Sequence, residues 1–386
     1  MVVHTHLEDR AEGAGDTAEH MRVAYLGPGS SVHTNRWLTT LHDRGYEVEL
    51  IPLHRPRAGS GLPRAVTVHQ LPFPAPAGYY LNKWPLRALL LRLKPTLLHA
   101  HYATGYGTLS RLVAYHPTLL SVWGSDVLVF PTQAWWKRHL VRRNLLAADY
   151  LASTSHTMRR AVEQLVGDQR SVGITPFGVD CRQFQLTSRQ QPAGPLTIGS
   201  VKALEPTAGL DTLIQAFAML GRWHAAEGLR LLIVGDGPER VRLERLTRSV
   251  GAQAQVTFAG AVPHHAVPHW VAKMDIFAAI SRSEGFGVSV LEASACGLPV
   301  VVSDVGGLSE VVREGETGLV VSSRDPEAVA RALETLLCNP ELRARMGAAG
   351  RAFVIENYEW SKTVDVMVGI YRTIMQSEQE RLRSSV

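Results

Sequence analysis

Glu284 and Glu292 stand eight residues apart in Ser281-Arg282-Ser283-Glu284-Gly285-Phe286-Gly287-Val288-Ser289-Val290-Leu291-Glu292, between an apolar run at 275–280 and a helix-like stretch. The order strand, glycine turn, helix puts both carboxylates at the carboxyl end of a strand, where open α/β sheets bind ligands. Gly285 and Gly287 are expected to let the backbone approach a ligand, and the first N–H groups of the helix to form an anion site. Glu284 falls in the turn and Glu292 about two helical turns on, roughly on the same side. Two carboxylates so placed suit a ligand rich in hydroxyl groups, which donate well to charged acceptors. The spacing alone is weak, since a turn residue and a solvated helix face would produce it too.

The elements that must position this pair are legible along the chain. Apolar strand-like runs alternate with longer amphipathic ones, the pattern of parallel sheets covered by helices on both faces. Strands are expected at 22–26, 48–53, 97–100, 119–122 and 150–153, and again at 197–200, 229–234, 256–259, 276–280, 300–303 and 318–320. The fold class is therefore α/β, with two doubly wound, Rossmann-like domains of similar size facing each other across a cleft that is the natural site. The domains are expected at 21–182 and 196–360, joined by a linker at 183–195 that is rich in Gln, Pro and Gly. A final helix is expected over 361–386.

Composition narrows the class further. The 386 residues are 45% hydrophobic and 19% charged, enough for two full cores. Residues 21–190 carry 20 Lys and Arg against 8 Asp and Glu, whereas 191–386 carry 19 against 22. In the basic half, residues 81–94 and 135–143 interleave bases with Trp84, Trp135, Trp136 and several leucines. Each segment is compatible with an anionic membrane surface, and equally with an ordinary helix that has a basic outer face. Residues 1–20 hold five acids and Arg10 without an apolar core, so they are expected to be a disordered acidic tail and no secretory signal. Cys181, Cys296 and Cys338 are scattered, which favours a reducing, cytoplasmic setting. No run is long enough to span a membrane, and no nucleic-acid partner is expected.

The text around the carboxylates is more specific than their spacing. Glu284-Gly285-Phe286-Gly287 with Leu291-Glu292-Ala293, then Gly297-Leu298-Pro299-Val300, Gly306-Gly307-Leu308-Ser309-Glu310 and Gly315-Glu316-Thr317-Gly318, closely resembles the donor-binding half of family 4 retaining glycosyltransferases. The resemblance is strong over about 196–360 and moderate over 21–180. It implies the glycosyltransferase-B fold, with the last helix crossing back to the first domain. It implies transfer of a sugar from a UDP- or GDP-linked donor to a lipid-linked or cell-surface polysaccharide intermediate, at the inner membrane face as a peripheral protein. It also implies roles. Glu284 holds donor-sugar hydroxyls and Glu292 the ribose, while Lys202 with Gly285, Phe286 and Gly287 holds the diphosphate. Gly306, Gly307 and Leu308 offer a second nest of N–H groups, and Val262 opens the loop that abuts the nucleotide base, which also carries His264, His265 and His269. Glu284 and Lys202 are the catalytic candidates. No Asp-x-Asp occurs in the chain, so no metal and no further cofactor is expected.

Two departures qualify the resemblance. The family usually shows a second cation after Lys202, where this chain has Thr207 and Ala208. A charge-assisted contact is worth about 1.5–3 kcal/mol, so Arg282 or a base of the first domain is the expected substitute. Trp123 in Trp123-Gly124-Ser125-Asp126 stands where many relatives have a histidine. On the acceptor side the resemblance and the pattern together single out Ser31, His33 and Arg36 after the first strand, His101 in His99-Ala100-His101, and Trp123 with Asp126. The two imidazoles at 99 and 101 lie on one strand face and would need a third ligand to hold a metal. The departures leave a second reading open, a weak or inactive sugar-nucleotide binding protein on the same fold. A phosphorylase or epimerase lacks a matching motif.

Overall fold

The computed structural model describes residues 21–54, 62, 65–167, 170–186, 195–223 and 228–384. The acidic tail and most of the expected linker lie outside the described residues. The strands are β1 (Arg22–Leu26), β2 (Glu47–Ile51), β3 (Thr67–Val68), β4 (Leu97–His101), β5 (Thr118–Val122), β6 (Tyr150–Ser153) and β7 (Val172–Ile174), then β8 (Leu196–Val201), β9 (Leu229–Val234), β10 (Val256–Gly260), β11 (Ile276–Ala279), β12 (Val300–Ser303) and β13 (Gly318–Val321). They form two sheets, ordered β3-β2-β1-β4-β5-β6-β7 and β10-β9-β8-β11-β12-β13. Both are Rossmann-like, because the first strand of each lies inside and the order reverses beside it. The reversal points are β1/β4 and β8/β11, with parallel pairing across each.

By contacts the chain falls into two compact units. One holds residues through Leu120 with Leu146–Tyr150, the other Ser121–Leu145 with Leu151 onward. The second unit thus contains the whole second sheet together with the loop after β5 and the chain from β6.

Alternation builds the second sheet. Leu232, Val234, Phe277, Ala279, Val300 and Val302 enter one apolar cluster, while Leu231, Ile233, Ile276, Ala278 and Val301 enter another. Successive side chains of a strand point to opposite faces, so both faces are covered and β-branched runs replace a polar alternation. Each of the Val, Leu, Ile and Phe side chains among them stabilises the fold by about 1.5–3 kcal/mol when fully buried. The Val288–Ala295 helix is sunk in the same way, with Glu292 the single charged side chain among its buried residues.

Two expectations need amendment. The edge strands β3 and β7 have two and three residues, too few for a period-2 signal to stand out from loop. β2 begins and ends earlier than 48–53, because Pro52 has no N–H to extend a ladder. The last helix runs Trp360–Ser384. Its Ile370 packs so tightly on Gly173 of β7 that an added Cβ would lie 2.8 Å from Ile370 Cδ1, and Val179 pairs with Glu359 ahead of it.

Candidate functional site

In the second sheet, Lys202 follows β8 and Ser281 follows β11, the two strands of the reversal point. Lys202 N donates to Val234 O at 2.9 Å, which fixes the start of its loop. From there its ammonium forms an ion pair with Glu284 and donates to Ser281 Oγ at 2.7 Å. Both side chains are only about one-fifth exposed, 20% and 23%. Removing one partner of so sheltered a pair leaves the other charge uncompensated, which costs more than the pair itself is worth. Ser281 is in turn anchored, its carbonyl accepting Ser303 Oγ at 2.6 Å.

The glycines of the turn serve the chain's own approach. A Cβ on Gly285 would lie 2.9 Å from Gly124 Cα and from Trp123 O, so that turn meets the loop after β5 backbone to backbone. Gly306 has φ +59°, and a Cβ there would collide with the Glu284 carbonyl, which also accepts Gly307 N at 3.1 Å. The Cβ side of Gly285 is thus taken up by Trp123 and Gly124, and a side chain there would break that approach. The expected second nest is largely spent as well, with Gly307 N on Glu284 O and Leu308 N on Val305 O at 3.2 Å, because the Leu308–Glu310 turn folds back on its own loop. Gly287, in the left-handed region, heads the Val288–Ala295 helix. A helix leaves its first N–H groups without intrahelical partners, and this end remains the anion-binding candidate.

Phe286 and Leu308 turn inward, 3% and 0% exposed. Phe286 meets Phe177 and Tyr358 edge to face, with ring centres 6.0 and 5.7 Å apart, and Phe177 meets Trp123 at 5.3 Å. Their side chains support the turn, and only their backbone can face a ligand. Asp126 is buried and accepts from Gly124 N at 2.9 Å and Trp123 N at 3.2 Å, so it shapes the loop after β5.

Glu292 occupies a different environment from Glu284. Its side chain is 7% exposed and accepts from His264 Nε2 at 2.7 Å. Its carboxylate is felt one turn on, where burial first and Glu292 second push the Cys296 thiol up to about 12. Val262 is half-buried against the apolar cluster below the same loop.

Arg282 is not free to replace the missing second cation. It donates to both oxygens of Asp211 at 2.7 and 2.8 Å and to Pro206 O at 3.0 Å, tying down the turn that holds Thr207 and Ala208. Burial pushes the Asp211 carboxyl up, but hydrogen bonds and charge from Arg282, with Thr212 N–H and Arg242, hold it below its ordinary value.

Sequence reasoning missed Ser155, Ser281 and the part played by Glu310. Ser155 caps the His156–Val166 helix and donates to Gly285 O at 2.9 Å. Glu310 accepts from His156 N at 2.8 Å and from Thr157 N at 2.6 Å. The capping serine before an amphipathic run was a readable signal. Glu310 lies in the Gly306-Gly307-Leu308-Ser309-Glu310 run, which gives no hint of a partner over 150 residues away.

In the first unit, Ser31 caps the Val32–Asp43 helix, on which His33 and Arg36 are half-buried and three residues apart, so they share a face. His101 differs from its expectation as an acceptor contact. It is 1% exposed, with its ring 4.6 Å from that of His99 and 5.2 Å from that of Tyr25. Burial pulls His99 down to about 3, and burial with the His99 charge holds His101 well below its ordinary value. Among the described residues, no three His, Cys, Asp or Glu side chains are grouped to hold a metal ion.

Two parallel, Rossmann-like sheets with this strand order define the glycosyltransferase-B class of fold. Sucrose-phosphate synthase from Thermosynechococcus elongatus shares it at a TM-score of 0.81, with 20% identity, over 93% of this chain and all of that one. Family models for "Glycosyl transferases group 1" and "Glycosyl transferase 4-like" match residues 182–353 and 22–155. The D-inositol 3-phosphate glycosyltransferase of Rhodococcus erythropolis is 31% identical over 72% of this chain and 67% of its own length. The chain belongs to the group 1, family 4 glycosyltransferases. It is also 33% identical to the GDP-mannose-dependent alpha-(1-6)-phosphatidylinositol monomannoside mannosyltransferase of Mycobacterium tuberculosis, over 58% of this chain. The match spans only 61% of the length of that relative.

Proposed function

We propose that this protein transfers a sugar from a UDP- or GDP-linked donor to a hydroxyl of a lipid-linked or polysaccharide acceptor, with retention of anomeric configuration and without a metal. The observation that carries the reading is the Lys202 ammonium held by Glu284 and Ser281 beside the head of the Val288–Ala295 helix. Negative charge grows on the phosphate oxygen as its bond to the anomeric carbon breaks, and a preorganised cation with a helix N-terminus stabilises it there. Lys202 exchanges Glu284 for the diphosphate, and the released carboxylate accepts from the sugar hydroxyls. The acceptor oxygen bonds to the same face of the anomeric carbon, and the departing phosphate oxygen takes the acceptor proton. The relatives' names support a nucleotide-sugar donor and an inositol-containing acceptor, both to be tested on this chain.

The surface of the first unit supports a peripheral, inner-face location. Trp84 and Leu91, 67% and 63% exposed, share one face of the Lys83–Leu93 helix, flanked by Arg87, Arg92 and Lys94. Such a face fits an anionic lipid surface. Among the described residues no helix is long and apolar enough to cross a membrane.

The test is nucleotide release from a panel of UDP-, GDP- and ADP-sugars, with and without a membrane extract and with chelator present. Consumption of one donor, unaffected by chelator, with an NMR spectrum showing the donor's anomeric configuration in the product, bears the reading out. Commitment of Arg282 to Asp211 favours the second reading, a sugar-nucleotide binding protein. That reading prevails if one nucleotide sugar raises the melting temperature and none is consumed.

A further inference from the structure

The His264–Glu292 contact is not explained by folding alone. Glu292 is the single charged side chain of its helix and nearly buried there, and its carboxylate meets a ring that is 30% exposed and belongs to the loop after β10. A carboxylate accepts hydrogen bonds and an imidazole nitrogen can donate one, so the contact at 2.7 Å pairs complementary groups. The ring is held from two sides. It sits on the short His264–Ala266 turn between Pro263 and Pro268, whose fixed φ angles stiffen the loop. The buried Phe184 ring lies 5.8 Å away at 54°. One oxygen of Glu292 is thereby fixed, and the second oxygen keeps its full accepting capacity.

We propose that His264 is a positioning residue for Glu292, holding its carboxylate in the rotamer that accepts the vicinal hydroxyls of the donor's ribose. The proposal rests on the donor reading above and on the ribose role that the family resemblance implies for Glu292. A glutamate carries three side-chain torsions whose ordering on binding opposes affinity. With His264 in place that ordering is complete before the ligand arrives. Two donors on the ribose then meet a carboxylate already turned toward them, and a nucleotide lacking one hydroxyl leaves part of it without a partner. His264 therefore contributes to discrimination between ribose and deoxyribose, which a bond serving folding alone would not do.

The experiment measures binding of UDP, GDP and their 2′-deoxy forms by calorimetry to the full chain and to His264→Ala, His264→Gln and Glu292→Gln, with melting temperatures to confirm folding. For the unaltered chain, a preference for the ribonucleotide of about ten-fold or more is expected, the worth of a charge-assisted hydrogen bond. His264→Ala should lose most of that preference, and His264→Gln, whose amide can still donate, should regain part of it. With a consumed donor, His264→Ala should raise KM more than it lowers kcat. If His264→Ala keeps the original ratio while Glu292→Gln loses it, the ribose reading stands and the role given to His264 is wrong. If Glu292→Gln keeps the ratio too, the ribose reading itself fails, and the proposal with it.

Discussion

The reversal points of the two sheets have the same topology and opposite electrostatics. At β8/β11 the side chains are charged and paired, Lys202 with Glu284 and Arg282 with Asp211. At β1/β4 they are imidazoles packed on Tyr25, and burial keeps them neutral. The difference arises from where each group leaves its strand. His99 and His101 belong to β4, all five residues of which are buried. Lys202, Ser281 and Glu284 follow their strands, where loops let them reach both a partner and solvent. Strand order decides where a site can form, and the last residue or two decides whether it holds charge.

The contrast can be broken most severely at the charged end. Glu284→Ala should lower turnover by about a hundred-fold or more, and Lys202→Ala comparably. Lys202→Arg should recover part of it, since a guanidinium keeps the charge while changing the geometry of its hydrogen bonds. Unchanged nucleotide release in Glu284→Ala would remove the site assignment altogether.

The neutral end should show itself in pH dependence. The folded pKa of His99, about 3, lies below the ordinary 6.5, so between these values the unfolded chain binds a proton that the folded chain refuses. Stability is full above about 6.5 and falls as the pH drops below it, by about 1.4 kcal/mol per pH unit for each such histidine. For His99 the loss between pH 6.5 and 5 is about 1.6 kcal/mol. Urea midpoints for His99→Phe should show a shallower acid arm, and an identical slope would contradict the neutral pair.

A third effect concerns the tie between the His156–Val166 helix and the glycine turn. Glu310→Ala removes acceptors from His156 N, Thr157 N and Thr157 Oγ1, so a loss of about 1–3 kcal/mol is expected. Calorimetric melting checks it, and Glu310→Gln should recover about half. The smallest effect sharpens the charged end. Thr207→Lys restores a cation at the empty position, and a gain of a few-fold in donor affinity is expected, since an exposed new charge is worth less than a buried one. No gain would mean that the Pro206–Ala208 turn faces away from the donor.

Much of this was written in the sequence. Eleven strand positions and the turn holding Glu284 follow from apolar runs and glycines, because period and punctuation are local. β3 and β7 did not show, being too short to have a period. The close chain contacts that also require Gly285 and Gly306 did not show either, since a glycine's sequence does not say which part of the chain will pack beside it. His101 gave the same difficulty, as residue type does not report depth. Arg282 read as a spare cation because its partner Asp211 lies 71 positions away, beyond any local pattern.

The collision that any side chain at 306 would make with the Glu284 carbonyl has a consequence for how such a protein can change. A wall built of backbone against backbone tolerates no single substitution, so selection cannot reshape it by small steps. The loop bearing Val262, His264 and the exposed His265 presents side chains instead. New ligand preferences would have to be acquired there, and directed evolution of this protein should begin on that side.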